Sequence, residues 1–458
     1  MLSTQEPHKI YRFIVHACKY HAEKLLNKKI EIQKIRFSKF PSYKFIFFFT
    51  FFIFSGKIFS RKARLDVEYS QVNIGRFILG SVFTDFSSYT SKTKYFYNYL
   101  KNFYIAGKFI RTANELEKKK NFECIYIDHC GSMNGILFSL LSKNKIVYTN
   151  NYPKNIFATK KKISSFNGLY EDRLRISKTK NFNNQKSKQR AKKVLKKLSH
   201  NPEIIPWMKG TYFNKFNKIQ NIDQYEYIVY THSFTDGQLW FGNDGFQNSF
   251  DWLIFTLDNL ERNNKKTLIK CHPNYFNKDF GATSEWDKKI FNKIHEKYLN
   301  NKNFYFIREP IRNENLSKSL NKKKCIAITH HGNVVLEMGF LGFKVISSAA
   351  TFCSDKFKIS NIWSNQKEYY QLLNKKNSQL KNCKVSDLYQ LVNELFFDKN
   401  SYYGINSIDK VIKKNINKNY SKILYKNNKL NFDSKIFDKI DYKIYEKIAK
   451  DLSKNITF

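Results

Sequence analysis

The sequence predicts an α/β protein with open parallel sheets, because strand-like and helix-like stretches alternate along the chain. In residues 325–348 a short apolar run is followed by a polar corner, an apolar helical segment and a second apolar run. Residues 122–149 repeat the same order, and residues 225–273 place a helix between two further apolar runs. Alternation of this kind is typical of parallel strands joined by crossover helices.

The first of these stretches defines the unit most clearly. Residues 325–329, CIAIT, have the pattern of a buried strand, and residues 334–341 form an apolar helical segment. The corner between them is the sequence HHGN at residues 330–333. Gly342 is suited to end the helix, and residues 343–346 begin a second strand.

Two features of this unit point to a ligand. Gly332 and Asn333 fall at the start of the predicted helix, where free N–H groups and the helix dipole favour a phosphate. Glu337 lies one turn later and is the only polar side chain of the helix, so its carboxylate needs a hydrogen-bonding partner. The hydroxyl groups of a ribose would serve, and a polar group of the protein itself is the alternative.

This pattern has a counterpart in a known family. The order of strand, His-Gly, small polar residue, Glu four residues later, Gly and then Lys-Val-Ile resembles the donor-binding element of GT-B glycosyltransferases, and the His-Gly form is similar to capsule polysaccharide biosynthesis proteins. This chain has Asn333 where Ser or Thr is commoner, and Lys344 where Pro is commoner. The resemblance implies two Rossmann-like domains that face a cleft, with the nucleotide-sugar donor bound by the second.

Two further segments carry the same resemblance. The loop at residues 233–249 is longer than a connection needs, and its sequence resembles the Ser/Thr-Asp, Gly, Asp-Gly-Phe and Trp pattern of the capsule-type proteins. His272-Pro273 resembles the His-Pro signature of capsule transferases for CMP-activated acidic sugars and of bacterial sialyltransferases. Pro273 turns the chain out of the sheet, which leaves His272 at the carboxyl edge of its strand beside Lys270.

The rest of the second domain follows from periodicity. After the long loop, Ser249 or Asp251 is available to cap a helix. Residues 303–310 add another strand, which completes a β-α-β-α-β-α-β succession. Residues 362–397 have the pattern of two helices.

The chain therefore divides into four predicted parts. They are a basic and apolar N-terminal segment, an N-terminal Rossmann-like acceptor domain, a C-terminal Rossmann-like nucleotide-sugar-binding domain and a basic helical tail, at residues 1–63, 64–205, 206–400 and 401–458. Pro202 and Pro206 suit a connection between the two domains. The resemblance implies that the tail crosses back to the first domain.

The acceptor domain gives weaker patterns. Residues 65–86 predict a pair of strands with a glycine turn, and they are also similar to the Ile-Gly, then Asp stretch of the capsule-type proteins. Residues 95–117 predict a helix, and the basic residues 154–220 predict a solvated helix and loop. Asp128 and His129 follow a predicted strand, at the edge where parallel sheets bind ligands, so they either contact the acceptor or cap the next turn.

Composition limits the function without deciding it. The chain has 458 residues, with 81 Lys and Arg against 38 Asp and Glu, so its net charge is +43. Such a surface favours nucleic acid, anionic membranes or acidic substrates. No nucleic-acid-binding motif occurs in its expected context, so nucleic acid is not expected as a partner. The seven cysteines form no CxxC pair and are expected to be buried apolar residues in a reducing compartment.

One apolar run could contact a membrane. Residues 45–54, FIFFFTFFIF, are too few to cross a hydrocarbon core, which needs about 20. The run is therefore either a buried strand or helix, or an anchor that lies on a membrane surface with its flanking basic residues, Lys44, Lys57, Arg61 and Lys62. The first ten residues lack the layout of a secretory signal. We expect a cytoplasmic protein, held by charge at the anionic inner face of the membrane.

The resemblance implies a metal-independent glycosyltransferase that moves a sugar from a nucleotide-activated donor, CMP- or UDP-linked, to a surface polysaccharide or glycolipid acceptor, with no other cofactor. Because no Asp-x-Asp signature ends a strand, cationic and N–H groups are expected at the leaving phosphate in place of a metal. The expected donor-binding residues are Lys270, His272, His331, Gly332, Asn333 and Glu337. Asp236 is the first candidate for general base or nucleophile, and Asp128 is the second.

Three other functions stay open at this point. A nucleotide-sugar 2-epimerase has a similar fold and donor motif. A teichoic-acid-type polyol-phosphate transferase also carries a His-Pro dipeptide and a His-Gly corner. A basic protein associated with membrane or nucleic acid, without catalytic activity, is the third.

Overall fold

The structure is a computed structural model. It describes residues 37–119, 124–127, 133–141, 146–151, 155–159, 184–200, 221–239, 242–276, 282–349 and 357–397. The chain divides into two compact units: one comprises Met1–Arg36, Asn150–Phe157 and Lys399–Phe458, and the other comprises Phe37–Thr149 and Ala158–Asp398. All the helices below and the six-stranded sheet belong to the second unit. The four predicted domain limits and the helical tail stay predictions.

The N-terminal part of the second unit consists of five helices and a short hairpin. The helices are α1 (Tyr43–Phe54), α2 (Arg61–Asp66), α3 (Ile74–Val82), α4 (Ser87–Thr90) and α5 (Lys92–Lys119), and the hairpin strands are β1 (Glu68–Tyr69) and β2 (Val72–Asn73). The predicted helix at residues 95–117 is thereby confirmed. The side chains of Ser42 and Asn73 cap α1 and α3 by accepting hydrogen bonds from backbone N–H groups of the first turn.

Phe103 of α5 lies in the core of this part. The centroid of its ring is 4.4 Å from that of Phe49, 5.4 Å from that of Phe52 and 5.6 Å from that of Phe45, all on α1. One turn further along α5, a Cβ on Gly107 would lie 2.3 Å from the ring of Phe45. A glycine is therefore needed there for α1 to approach α5 so closely.

The prediction of a glycine turn within residues 65–86 was wrong. The hairpin turns at Ser70 and Gln71, which have φ angles of 51° and 61°, whereas both predicted turn glycines lie inside α3. A Cβ on Gly75 would lie 2.2 Å from the carbonyl oxygen of Arg64. This glycine therefore serves the close packing of α2 against α3, which no local pattern shows.

The β-α-β unit predicted at residues 122–149 is present. Strands β3 (Cys124–Ile127) and β4 (Ile146–Asn151) pair in parallel, and α6 (Asn134–Leu141) lies between them in the chain. A strand β5 (Asn155–Thr159) follows. Asp128 and His129 lie outside the described residues, and so does the predicted linker around Pro202 and Pro206.

A parallel six-stranded sheet carries the C-terminal part. Its strands are β6 (Tyr227–Tyr230), β7 (Thr267–Lys270), β8 (Phe304–Ile307), β9 (Ile326–Thr329), β10 (Lys344–Ser348) and β11 (Asn361–Trp363). Their order across the sheet is β8-β7-β6-β9-β10-β11, and every neighbouring pair is parallel. Counted from β6, this is the order 3-2-1-4-5-6 of a Rossmann fold, so the predicted Rossmann-like character of this region is confirmed.

Helices connect and cover these strands. They are α7 (Gln185–His200), α8 (Ser249–Arg262), α9 (Ala282–Lys297), α10 (Asn313–Ser319), α11 (Val334–Phe340), α12 (Gln366–Leu373) and α13 (Val385–Phe397). Strands β6, β7 and β9 are buried along their whole length, as expected of parallel strands covered on both faces. In α8 the buried residues Trp252, Leu253, Leu257 and Leu260 follow the helical period.

Three local predictions need correction. The cap of α8 is Asn248, whose side chain accepts from the backbone N–H of Asp251 at 2.7 Å, so neither Ser249 nor Asp251 caps the helix. Trp363 ends strand β11 and is not in a helix. Helix α7 exists within the basic segment, but it is not wholly solvated, because Ala191, Leu195 and Leu198 are buried.

Two further features bear on the expectations. Of the described cysteines, Cys271 and Cys325 are buried, as expected, whereas Cys383 is only partly buried. None of the helices within the described ranges is long and apolar enough to cross a membrane.

Candidate functional site

The carboxyl ends of β9, β6 and β7 lie side by side at the middle of the six-stranded sheet. From β6 the chain proceeds outward to β7 and β8 on one side of the sheet, and from β9 it proceeds outward to β10 and β11 on the other. The strand order therefore reverses between β6 and β9. In open α/β sheets the crevice at such a point is where ligands bind. His331, His232 and His272 follow these three strands, within two residues of each strand end.

The three imidazoles form a cluster. The ring centroids of His232 and His331 are 3.9 Å apart, and those of His232 and His272 are 5.4 Å apart. Burial lowers the pKa of His232 to about 4, and burial together with the neighbouring imidazoles holds the pKa values of His272 and His331 well below the usual range. At neutral pH the cluster is therefore uncharged.

Hydrogen bonds fix the tautomers of two of these rings. Nδ1 of His232 lies 3.0 Å from the carbonyl oxygen of Ser233, which only accepts, so Nδ1 carries the proton. Nδ1 of His272 accepts from the backbone N–H of Asn274 at 3.2 Å, so the proton of the neutral ring is on Nε2. The ring of His272 thus retains an N–H donor, and that of His232 retains an acceptor that can take up a proton.

Lys270 and Glu337 add a buried pair of ionisable groups. The Lys270 Nζ lies 5.6 Å from the centre of the Tyr230 ring, and burial lowers the pKa of this lysine although Glu337 opposes the shift. Glu337 accepts a hydrogen bond of 2.7 Å from the Asn313 side chain. Burial raises the pKa of Glu337 to about 7, against the opposing effects of Asn313 and Lys270. The predicted need for a hydrogen-bonding partner is met in part by the protein itself.

The HHGN corner leaves room for a ligand. Gly332 has a φ of 114°, which disfavours any residue with a side chain, and no atom lies within 4 Å of where its Cβ would be. Asn333 precedes α11, and its Oδ1 is buried without a hydrogen-bond partner among the described residues. The predicted helix at residues 334–341 and its end at Gly342, with a φ of 90°, are confirmed.

A second buried network holds the corner in place. The Nε2–H group of His330 donates to the Asp244 carboxylate at 2.7 Å, and the Ser348 hydroxyl donates to the same carboxylate at 2.5 Å. The Ser249 hydroxyl lies 3.3 Å from Nδ1 of His330. Burial alone would raise the pKa of Asp244, but His330 and the hydrogen bonds outweigh it and lower the value. Because all these groups are buried, the network is a structural tie between the long loop and the corner.

The first half of the long loop is fixed by Asp287 of α9. This carboxylate accepts from the Ser233 hydroxyl at 2.5 Å and from the backbone N–H groups of Phe234 and Thr235 at 2.9 and 3.1 Å. Burial raises the pKa of Asp287 to about 6 in spite of these bonds. The loop therefore leaves β6 along a defined path, which places His232 in the cluster.

The predicted donor residues are brought together. Lys270, His272, His331, Gly332, Asn333 and Glu337 all lie at or beyond the carboxyl ends of β7 and β9. These two strands are not neighbours in the sheet, because β6 lies between them. His232 at the end of β6 fills the gap, and sequence reasoning missed it, although its position directly after a buried strand was a signal.

Asp236, the first candidate base, lies outside this buried cluster. Asp236 is exposed on the loop after β6, and its backbone carbonyl accepts from the Gln238 side chain at 2.7 Å. Asp128 lies outside the described residues. In the part of the chain that the structure describes, no group of three or more His, Cys, Asp or Glu side chains is placed to hold a metal ion.

Comparisons with known proteins give distant likenesses only. No protein-family model matches the chain, and no curated protein matches it. Among solved structures, Thermosulfurimonas dismutans KpsC, a beta Kdo 2,4 transferase, is 13% identical over 54% of this chain and 71% of that chain, with a TM-score of 0.31. The Methanocaldococcus jannaschii UDP-GlcNAc 2-epimerase in complex with UDP-GlcNAc and UDP is 16% identical over 64% of this chain and 80% of that chain, with a TM-score of 0.29. At TM-scores this low, neither likeness establishes the fold or the activity of this chain.

Proposed function

We propose that the chain is a glycosyltransferase that transfers a sugar from a nucleotide-activated donor to a polysaccharide or glycolipid acceptor of a cell surface. The observation that supports this is the cluster of His232, His272 and His331 with Lys270, at the switch point of a parallel sheet. A buried set of groups that gain charge by taking up protons suits a dianionic phosphate better than a neutral ligand.

The cluster serves the leaving nucleoside diphosphate or monophosphate in this proposal. Lys270 supplies positive charge, the Nε2–H of His272 donates a hydrogen bond, and His232 is protonated when the phosphate arrives. The open corner at Gly332 lets the phosphate approach the backbone N–H groups. This arrangement stabilises negative charge that develops on the phosphate oxygens as the glycosidic bond breaks, without requiring a divalent ion.

Glu337 holds the ribose in this proposal. Asn313 occupies one of its carboxylate oxygens, Oε2, and a carboxylate offers further acceptor positions to ribose hydroxyl groups. Asp236 is the proposed general base, because it is an exposed carboxylate on the loop that leaves the switch point. Asp128 remains the second candidate for the same role.

Nucleotide binding and nucleotide release test the proposal together. Titration calorimetry with CMP, UDP and CDP should show binding of one of them. The affinity of His232→Asn for that nucleotide should be roughly 10-fold lower, because one hydrogen bond or ion pair is lost. His295→Asn is the matched control, since this histidine of α9 packs against Phe306 of β8 and is no part of the cluster. Thermal unfolding of each variant checks that the fold is retained.

Turnover assays then separate the candidate reactions. Release of nucleotide from CMP-, UDP- or CDP-linked sugars that depends on an acceptor supports glycosyl transfer. Interconversion of the donor sugar at C2, followed by NMR, would instead identify a nucleotide-sugar 2-epimerase, and release of CMP from a CDP-polyol would identify a polyol-phosphate transferase. Failure to bind any of the three nucleotides would refute the proposed site.

A further inference from the structure

Helix α1 presents an aromatic face to solvent. Tyr43 and Phe47 are each 77% exposed, Phe51 is 57% exposed and Phe54 is 85% exposed. These residues are spaced by three or four positions, so they lie on one side of the helix. We call this set the outward face of α1.

The opposite side of α1 fixes this orientation. Phe45 and Phe52 are buried, and both rings lie within 5.6 Å of the ring of Phe103 on α5, measured between centroids. The helix therefore cannot rotate to hide its outward face without losing these core contacts. A helix that is apolar on all sides is ordinarily buried in a core or in a membrane, and the described residues of the chain pack against only one side of α1.

The surroundings of the outward face are basic. Residues 37–65 contain six basic residues, Lys39, Lys44, Lys57, Arg61, Lys62 and Arg64, and no Asp or Glu. Arg64 is buried and Arg61 is paired with Asp251 at 3.4 Å, so the four lysines supply the positive charge near the outward face. Lys57 lies with its Nζ 5.8 Å from the centre of the Phe51 ring. The aromatic surface extends beyond the helix to Phe59, which is 74% exposed.

We propose that the outward face of α1 binds the surface of an anionic lipid bilayer, with its aromatic rings between the headgroups and the acyl chains. Aromatic residues favour this zone, and the surrounding lysines complement anionic headgroups. The helix has 12 residues, about 18 Å at 1.5 Å per residue, so it lies along the membrane surface and does not cross it. Binding of this kind combines apolar insertion with charge, whereas a purely basic surface would bind by charge alone.

Vesicle flotation of the full chain tests the proposal. One set of vesicles contains phosphatidylcholine alone, and the other contains phosphatidylcholine with about 30% phosphatidylglycerol. Each set is used in about 0.1 M and about 1 M NaCl. We expect strong binding to the anionic vesicles and measurable retention at about 1 M salt, where screening acts within roughly 3 Å. The variant Phe47→Ser/Phe51→Ser/Phe54→Ser should bind on the order of 100-fold more weakly at either salt concentration, because three exposed rings no longer insert.

The matched control removes exposed apolar side chains elsewhere. Leu299→Ser/Tyr370→Ser changes residues that are 65% and 49% exposed and lie outside α1, and it should bind vesicles as the unchanged chain does. A Phe51→Trp variant reports insertion directly, since its emission should shift to shorter wavelength and be quenched by brominated acyl chains when anionic vesicles are added.

The possible results decide among the occupants of the face. Loss of all binding at high salt, together with normal binding of the triple variant at low salt, would overturn apolar insertion and leave charge alone. No binding of the unchanged chain to either vesicle would overturn the proposal outright. A triple variant that keeps vesicle binding but no longer self-associates in sedimentation would show that a second copy covers the face.

Discussion

Replacing Glu337 by Gln separates the cost of a buried charge from the binding of a ligand. Burial raises the pKa of Glu337 from 4.5 to about 7, even though Asn313 and Lys270 act against the shift. At 1.36 kcal/mol for each unit of pKa, an ionised Glu337 costs the native state about 3 kcal/mol, as an order of magnitude. Gln has the same shape, carries no charge and can still accept the hydrogen bond from Asn313.

The pH dependence of this cost has a definite sign. The unfolded chain ionises Glu337 from about pH 4.5 upward, whereas the native protein keeps the proton up to about pH 7. Between these values the native state binds more protons, so its stability falls as pH rises. The free energy of unfolding of Glu337→Gln should therefore exceed that of the unchanged chain by up to about 3 kcal/mol at pH 8, and by less than about 1 kcal/mol at pH 5. The loss of a counter-charge for Lys270 offsets part of this gain.

Urea denaturation at the two pH values measures this difference. Glu296→Gln on the exposed surface of α9 is the control, and its stability should not differ between pH 5 and pH 8 in this way. A gain of equal size at both pH values would refute the argument from burial. Nucleotide affinity is the second measurement: loss of a charge-assisted bond should weaken binding by roughly 10- to 150-fold. Unchanged affinity would leave Glu337 as a structural partner of Asn313 alone.

Three further predictions concern the cluster and its support. Nucleotide binding should tighten as pH falls from 8 to 6, and the protein should take up protons when it binds, since a bound phosphate raises the depressed pKa of His232 and its neighbours. Equal binding enthalpies in buffers of different ionisation enthalpy would show that no proton is taken up and would contradict this. Asp244→Asn should lower the free energy of unfolding by about 3 to 5 kcal/mol, because it breaks a buried pair with His330, and a denaturation midpoint equal to that of Asn243→Ala would count against the tie. Turnover should persist in EDTA, and loss that manganese or magnesium restores would exclude a metal-independent reaction.

The sequence predicted the central unit of the fold well because its signals are local. A fully buried strand, a polar corner and a glycine after the helix each depend on a few adjacent residues, and β9, α11 and β10 lie where they were expected. Gly75 of α3 was misread because its role depends on a contact with Arg64 in another helix. The run at residues 45–54 was left open between buried and surface-lying, since a run with a single polar residue, Thr50, has no period that distinguishes its two sides.

The candidate site was predictable in outline and not in its connections. The end of each parallel strand could be read from the sequence, so Lys270, His272 and the HHGN corner were identified. The order of the strands in the sheet could not be read, so the sequence did not show that His232, at the end of β6, lies between the ends of β7 and β9. Glu337 is hydrogen-bonded to Asn313, which lies 24 residues away in the chain. The loop is held by Asp287, which lies 53 residues from Phe234. Both separations are beyond any local pattern.

The outward face of α1 and the long loop of the candidate site are connected through α2. Arg61, in the first turn of α2, forms an ion pair of 3.4 Å with Asp251 at the start of α8, and Asn243 donates to Asp66 at 3.1 Å from the loop itself. The neighbouring residue Asp244 holds His330 in the corner.

A membrane-bound α1 would therefore place the loop close to the lipid surface, where a lipid-linked acceptor is concentrated. If so, anionic vesicles should lower the KM for a lipid-linked acceptor and leave that for a water-soluble analogue unchanged, and Phe47→Ser/Phe51→Ser/Phe54→Ser should remove only the first effect. Equal KM values for both acceptors with and without vesicles would show that membrane binding and catalysis are independent.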